Sequence, residues 1–245
     1  MAEVQTTTAA VVLIGDEILS GKVLDENAAF LIGELRLLGV ALKRIAVIPD
    51  VVAEIAETVR DCARRFDHVF TSGGVGPTHD DLTMEGVARA FDTEVTRHPQ
   101  LEELLRMHYR ERLQERNLRM ADVPRGATLI ACDLSWPAIA MRNVYVLPGI
   151  PALFRKKFLA MRDQFRCSPY HLCTVLSLVE EGAIASSLDQ VVRDFPGVQV
   201  GSYPTWNQPE YKVKVTLESK DSALVESATR TLIDLLGDDV FLATV

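Results

Sequence analysis

Apolar and polar positions alternate along this chain in two rhythms, one of unbroken short runs and one of helical spacing. Residues 9–14 form a continuous apolar run ended by Gly15, the pattern of a strand buried on both faces of a parallel sheet. Over 27–38, Ala28, Leu31, Ile32, Leu35 and Leu38 recur at helical spacing and Gly39 supplies the left-handed stop. Residues 40–48 return as a strand. Pro49 and Asp50 open a second helix whose apolar face is Val52, Ile55, Ala56, Val59 and Ala63, and residues 68–71 make a third strand before the segment SGGVGPTHDD. This order predicts β-α-β-α-β with right-handed crossovers. Further on, the pattern predicts a helix over 83–91 and a charged, exposed or interface helix over 99–117 carrying Leu101, Leu104, Leu105, His108, Tyr109 and Leu113. Strands are predicted over 127–131 and 143–147, and LPGIP (147–151) turns the chain into a helix over 152–161.

After residue 168 the grammar changes. A strand over 172–179, a helix over 182–195, strands over 198–203 and 211–218, a helix over 223–236 and a strand over 240–244 give the β-α-β-β-α-β order of a ferredoxin-like unit. The expected class is therefore α/β, with a mostly parallel sheet over 1–168 and a small α+β domain over 169–245. With no internal repeat and no low-complexity linker, the two are expected to pack closely.

Composition narrows the function. The chain has 245 residues, 48% of them hydrophobic, with 26 Lys plus Arg against 34 Asp plus Glu for a net charge of −8. That sign argues against nucleic acid as the main partner. A chain of this size buries roughly 70–75% of its unfolded surface and needs no staple to fold, so any metal is expected to be functional. Cys62, Cys132, Cys167 and Cys173 have no C-x-x-C spacing and read as reduced, mostly buried thiols. The N-terminus lacks a cationic start, and no stretch reaches the roughly 18 apolar residues of a membrane span. A cytoplasmic protein without a membrane partner is expected.

Candidate chemistry centres on residues 72–81. Gly73, Gly74 and Gly76 remove the Cβ atoms that would keep a phosphate from the backbone N–H groups, and the following helix directs its positive end to the same place. The competing reading is a sharp turn with glycines at positive φ. Asp80 and Asp81 follow at once, either as ligands of a Mg²⁺-type cation, as a general base, or as ordinary acids favoured at a helix start. Gly15, Asp16 and Glu17 end the first strand and Asp50 ends the second. In a parallel sheet these carboxylates and the glycine segment meet on one rim, where open α/β sheets bind ligands. His79 lies within the cradle, either on phosphate or facing solvent. His68, His98, His108 and His171 have no metal-ligand spacing and read as structural. Trp136 and Trp206 read as packing residues before ring-stacking ones, and the loop 203–206 is the second domain's candidate for reaching a ligand.

The segments GDEILSG (15–21) with DEN (25–27), and TSGGVGPTHDDLT (71–83), resemble the molybdopterin-binding domain family, which includes the MoaB/Mog-like proteins of molybdenum-cofactor biosynthesis. VPRGA (123–127), NVYVLPGIP (143–151) and GSYP (201–204) are most similar to the subgroup formed by the N-terminal domain of CinA and the matching domain of eukaryotic FAD synthase. The resemblance implies a three-layer α/β/α sandwich. It also implies catalytic roles for Asp50, which orients or activates the reacting phosphate or water, and Asp81, which with Asp80 holds a divalent cation such as Mg²⁺ or Co²⁺. Gly15, Asp16, Glu17, Ser72, Gly73, Gly74, Gly76, Thr78, Thr83, Pro148 and Gly149 are the implied ligand-binding positions, with Pro148 and Gly149 on a second ligand-contacting loop. The implied ligand is a molybdopterin or a nucleotide, and the implied state a homo-oligomer. For the subgroup, the implied activity is metal-dependent cleavage of a dinucleotide pyrophosphate such as ADP-ribose or FAD. The alternatives are molybdopterin adenylyl transfer and a module that binds a pterin or nucleotide without turning it over. The chain ends at Val245 without a counterpart of CinA's amidohydrolase domain or FAD synthase's adenylyl-transferring domain, so neither activity is expected of it.

Overall fold

Why the chain builds a site at one rim follows from its strand order. The computed structural model describes residues 6–130, 136–206 and 208–243 and divides into two compact units, one ending at Cys167 and one starting at Ser168.

In the first unit, β1 (Thr8–Ile14) is the apolar run, buried from Ala9 onward. The helix α2 (Asn27–Leu37), which follows the single turn α1 (Asp16–Leu19), carries the chain to β2 (Ala41–Ile48), parallel to β1 on one side. The next crossover, α3 (Val52–Arg65), brings β3 (His68–Ser72) back to the other side of β1. With β2 and β3 on opposite sides of β1, the progression of strands across the sheet reverses between β1 and β3. At such a point the helices leave opposite faces and a crevice opens beyond the strand ends.

The sheet is completed by β8 (Val144–Leu147), parallel to β3, and by β7 (Ala138–Met141) and β6 (Thr128–Ile130), each antiparallel to its neighbour. Alternate β1 residues divide the core. Ala10, Val12 and Ile14 pack with Ile55 and Val59 of α3 and with Val87 of α4 (Thr83–Ala90), whereas Ala9, Val11 and Leu13 pack with Leu31 and Leu35 of α2 and Phe154 and Phe158 of α7 (Pro151–Met161). The result is the expected three-layer sandwich.

Several expectations are corrected. The helix expected over 99–117 ends early: α5 spans Pro99–Tyr109, and Arg110 adopts φ +50, a conformation a continuing helix cannot contain. The chain restarts at α6 (Glu115–Leu118), where the Asn117 side-chain oxygen accepts the Gln114 N–H at 3.0 Å. Despite its charge, α5 sinks Leu101 and Leu105 into the core. On α2, Ile32 faces outward, about half exposed, leaving Ala28, Leu31 and Leu35 as the buried stripe. The fully buried β7 and the small antiparallel pair β4 (Val95–Arg97) and β5 (Asp122–Pro124) were not anticipated. The segment 131–135, with Cys132 and the last residue of the strand expected over 127–131, lies outside the described residues. Cys62, Cys167 and Cys173 form no disulfide among the described residues, and of the three Cys62 is fully buried.

The second unit runs β9 (His171–Ser177), α8 (Glu181–Asp194), β10 (Gln199–Pro204), β11 (Val213–Ser219), α9 (Ser222–Leu236) and β12 (Val240–Leu242). Its sheet order β10-β11-β9-β12, antiparallel throughout, is ferredoxin-like. Val175, Val215 and Leu217 meet Ile184, Val191, Ala228 and Leu232 in its core. Trp206 does not pack: it is 94% exposed. No helix among the described residues is long and apolar enough to cross a membrane.

His68 is expected to contribute to the first unit's response to mild acid. His68, at the start of β3, sits 5.0 Å ring to ring from Phe165 and 5.9 Å from Tyr145, with Nδ1 buried and without a hydrogen-bond partner. Burial lowers its pKa, with Asp67 opposing. The unfolded chain, in which this histidine titrates near the ordinary value of about 6.5, takes up the proton first. The contribution is complete above that value and is lost as pH falls through it toward the lower folded pKa. The urea midpoint of the wild type is expected to fall from pH 7 to pH 5.5, and His68→Phe to flatten that slope. An unchanged slope contradicts the assignment.

Candidate functional site

At the reversal point the structure assembles the ends of β1, β2, β3 and β8. Gly15 N–H donates to the Ile48 carbonyl at 3.1 Å, tying the end of β1 to that of β2. The next residue, Asp16, donates its N–H to the Asp50 carboxylate at 2.9 Å. Burial pushes the Asp50 carboxyl up; the Asp16 hydrogen bond opposes this, while the nearby Glu17, Asp16 and Asp80 carboxylates add to it. Acids from three separate chain segments are therefore gathered at one rim, as the sequence pattern predicts. Asp50 lies in the loop before α3, which starts at Val52.

The glycine segment leaves β3 through Ser72, which is the last strand residue and almost fully buried. Gly73 has φ +104, and a Cβ there would collide with the Ile14 carbonyl oxygen. Its glycine is therefore required twice, by backbone angle and by close approach of β1. The loop is held from behind by Thr83: its hydroxyl donates to Gly73 O at 2.8 Å and its N–H to Gly74 O at 3.0 Å. Thr83 is fully buried and its hydroxyl hydrogen is taken by Gly73 O, so its role is to shape the loop. Asp81 closes the other end, with Oδ2 accepting from the Thr78 N–H at 2.8 Å and from the Thr78 hydroxyl. The missing Cβ of Gly76 leaves room for that carboxylate.

Once these bonds are made, the N–H groups of Gly74, Val75 and Gly76 have no hydrogen-bond partner among the described residues. The start of α4 follows, with no side-chain cap. Consecutive unpaired amides beside an uncapped helix start have the donor geometry that an anion can accept from. His79 and Asp80 point to solvent, their side chains 96% and 64% exposed.

A residue absent from the sequence-derived set sits at the centre of the other flank. Asn27, the first residue of α2 and 3% exposed, donates from Nδ2 to Ser72 Oγ at 2.9 Å and to the Gly149 carbonyl at 2.8 Å. It thereby joins α2, β3 and the loop after β8. Asp25 places it there by accepting the Asn27 and Ala28 N–H groups at 3.2 and 2.9 Å, which caps the helix. Gly149 lies so close to Gly73 that a Cβ would come within 3.3 Å of its Cα, and Pro148 lines the adjacent apolar cavity. The available signal was the D-x-N triplet directly before an apolar helix, which marks a cap but not a contact 45 and 122 residues away.

Two cavities adjoin the loop. One, about 450 Å³, is bordered by Gly74, Gly76, Asp81, Glu85, Arg89 and Arg119; neither arginine has an ion-pair or hydrogen-bond partner for its guanidinium among the described residues. The other, about 520 Å³, is lined largely by apolar groups including Met107, Tyr109, Trp136 and Leu153. Val75, Met84 and Met120 border both. Trp136 also packs on the core.

No group of three or more His, Cys, Asp or Glu side chains converges as a metal cage among the described residues. The donors present are the exposed Asp80 carboxylate and Asp81, whose Oδ1 accepts no hydrogen bond among the described residues. With these two carboxylates alone, a hard cation such as Mg²⁺ would have to take most of its coordination from a ligand's phosphates and water.

Residues 10–165 match the family described as "Probable molybdopterin binding domain", and residues 169–245 match "FAD synthase, middle domain". The chain is 36% identical over 229 residues to a protein of Archaeoglobus fulgidus, covering 93% of this chain and 97% of that one. It is 30% identical over 265 residues to a "Probable FAD synthase" of Caenorhabditis elegans, covering 96% of this chain and 51% of that protein. It thus spans about half the length of the FAD synthase relative. Among solved structures, CinA of Thermoplasma acidophilum, described as of unknown function, matches with a TM-score of 0.61 and 30% identity over 65% of this chain and 98% of that one.

Proposed function

Because this chain belongs to the molybdopterin-binding domain family across residues 10–165, we propose that its cleft hydrolyses the pyrophosphate of a dinucleotide such as ADP-ribose or FAD, with the help of a divalent cation. The observation that carries this reading is the pairing of the three unpartnered amides of residues 74–76 with Asp50, a carboxyl whose proton affinity is raised at the same rim.

The amides of the cradle hold phosphoryl oxygens and offset the charge that builds on them during transfer. Asp50 takes the proton of the attacking water; a carboxylate whose pKa lies above the ordinary value is a better proton acceptor near neutral pH. The water oxygen bonds to one phosphorus, the bridging P–O bond breaks, and the products are two monophosphates. A bound divalent cation would supply positive charge against the phosphates, with Asp80 and Asp81 as its protein donors. Arg89 and Arg119 offer cationic contacts to the portion of substrate in the polar cavity.

Incubation of the protein with ADP-ribose, FAD and NAD, with and without Mg²⁺ or Co²⁺, is expected to release AMP from at least one substrate in a metal-dependent manner, read by chromatography. Intact substrates under all conditions overturn the hydrolase reading.

A further inference from the structure

We infer that Asn27 is a positioning residue that turns the Ser72 hydroxyl into a hydrogen-bond donor for the bound phosphate, an inference that rests on residues 74–76 being a phosphate cradle. The argument concerns protons. The Gly149 carbonyl can only accept, so the amide NH₂ of Asn27, and not its oxygen, must face it at 2.8 Å. The second hydrogen of that NH₂ goes to Ser72 Oγ at 2.9 Å. Ser72 therefore accepts from Asn27 and retains its own hydroxyl hydrogen.

That hydrogen has no acceptor among the described residues, and Ser72 is 2% exposed. A buried hydroxyl donor left unused is costly, and here it stands one residue before Gly73 and the unpaired amides. An arriving phosphate oxygen completes it. Asn27 Oδ1, meanwhile, is buried without a partner. An amide chosen for stability alone would satisfy both ends. The arrangement at Asn27 instead spends both hydrogens on setting Ser72 and the Gly149 loop.

The test is calorimetric titration of inorganic pyrophosphate and of ADP-ribose, each with Mg²⁺, into wild type, Ser72→Ala, Asn27→Ala and the double variant, with melting temperatures recorded alongside. Each single variant is expected to weaken binding by about 10-fold, the scale of one hydrogen bond to a charged group. The double variant is expected to lie within about 2-fold of Ser72→Ala, because both changes remove the same bond. Effects that multiply to about 100-fold show Asn27 acting apart from Ser72 and overturn the inference. So does an Asn27→Ala protein that melts earlier yet binds as the wild type does. Should Asn27→Ala not fold, Ser72→Ala decides alone: unchanged affinity overturns the inference. A wild type that binds neither probe removes the cradle reading and this inference together, whereas wild-type binding with an indifferent Ser72→Ala removes only this one.

Discussion

Asp50→Asn is expected to lower the rate of pyrophosphate cleavage by about 10²–10⁴-fold, the contribution of a well-placed general base. Asparagine keeps a side-chain oxygen for the Asp16 N–H, which Asp50 accepts at 2.9 Å, so the loop before α3 is expected to hold its shape and the melting temperature to stay close to that of the wild type. KM is expected to stay the same or fall, since one negative charge leaves a rim that also holds Asp16, Glu17 and Asp80. The wild-type rate should decline on the acid side as pH drops through the Asp50 pKa. Burial and neighbouring acids raise that pKa, so the decline begins at a higher pH than an ordinary carboxylate would give. In the variant that limb is expected to vanish. A variant that turns over at the wild-type rate assigns the proton transfer elsewhere.

Gly73→Ala is expected to be the most damaging single substitution in the loop, costing about 3–5 kcal/mol. Two penalties act together. The φ of +104 lies where side chains are strained, and the new methyl would meet the Ile14 carbonyl oxygen, part of the rigid backbone of β1. Relief requires β1 and β3 to separate where they are hydrogen-bonded neighbours. For a unit of this size the loss corresponds to a fall in Tm of roughly 6–20 °C. Gly21 provides the control: its φ is +72, but nothing lies within 4 Å of an added Cβ, so Gly21→Ala should cost only about 1 kcal/mol. Equal melting shifts for the two variants contradict the close-approach argument.

That Asp50 shares a rim with Asp16, Glu17 and Asp80 follows from periodicity alone. A run such as residues 9–14 has no polar face to offer solvent, so it must be a central strand, and the helical stripes on both sides then force parallel crossovers. Parallel strands bring all their carboxyl ends, and whatever polar residues follow them, to one side. The position of the glycine loop at that rim was legible for the same reason, and the positive φ of Gly73 and Gly74 is what a sharp turn out of a buried strand requires.

What a single position does within that frame was less legible. Asp81 and Thr83 belong to the same motif as the free amides, yet one fastens the loop through Thr78 and the other braces it from inside the core. The local sequence does not distinguish a ligand-facing hydroxyl from a loop-bracing one. The break at Arg110 went unseen because charged residues are compatible with either a helix or a turn, and β7 because four buried apolar residues after Trp136-Pro137 carry no period.

By itself, then, the sequence determined the α/β class, the order of crossovers, the ferredoxin-like second unit and the rim where the acids and the glycine loop gather, because each follows from local periodicity and chain connectivity. Tertiary structure alone decided that Asn27 meets Ser72 and Gly149, that Gly73 must pass under the Ile14 carbonyl, and which of the loop's polar groups are left unpaired. These are contacts between segments distant in the chain, settled by the distances at which strands and helices pack and by which hydrogen-bond donors remain once the backbone has satisfied its own.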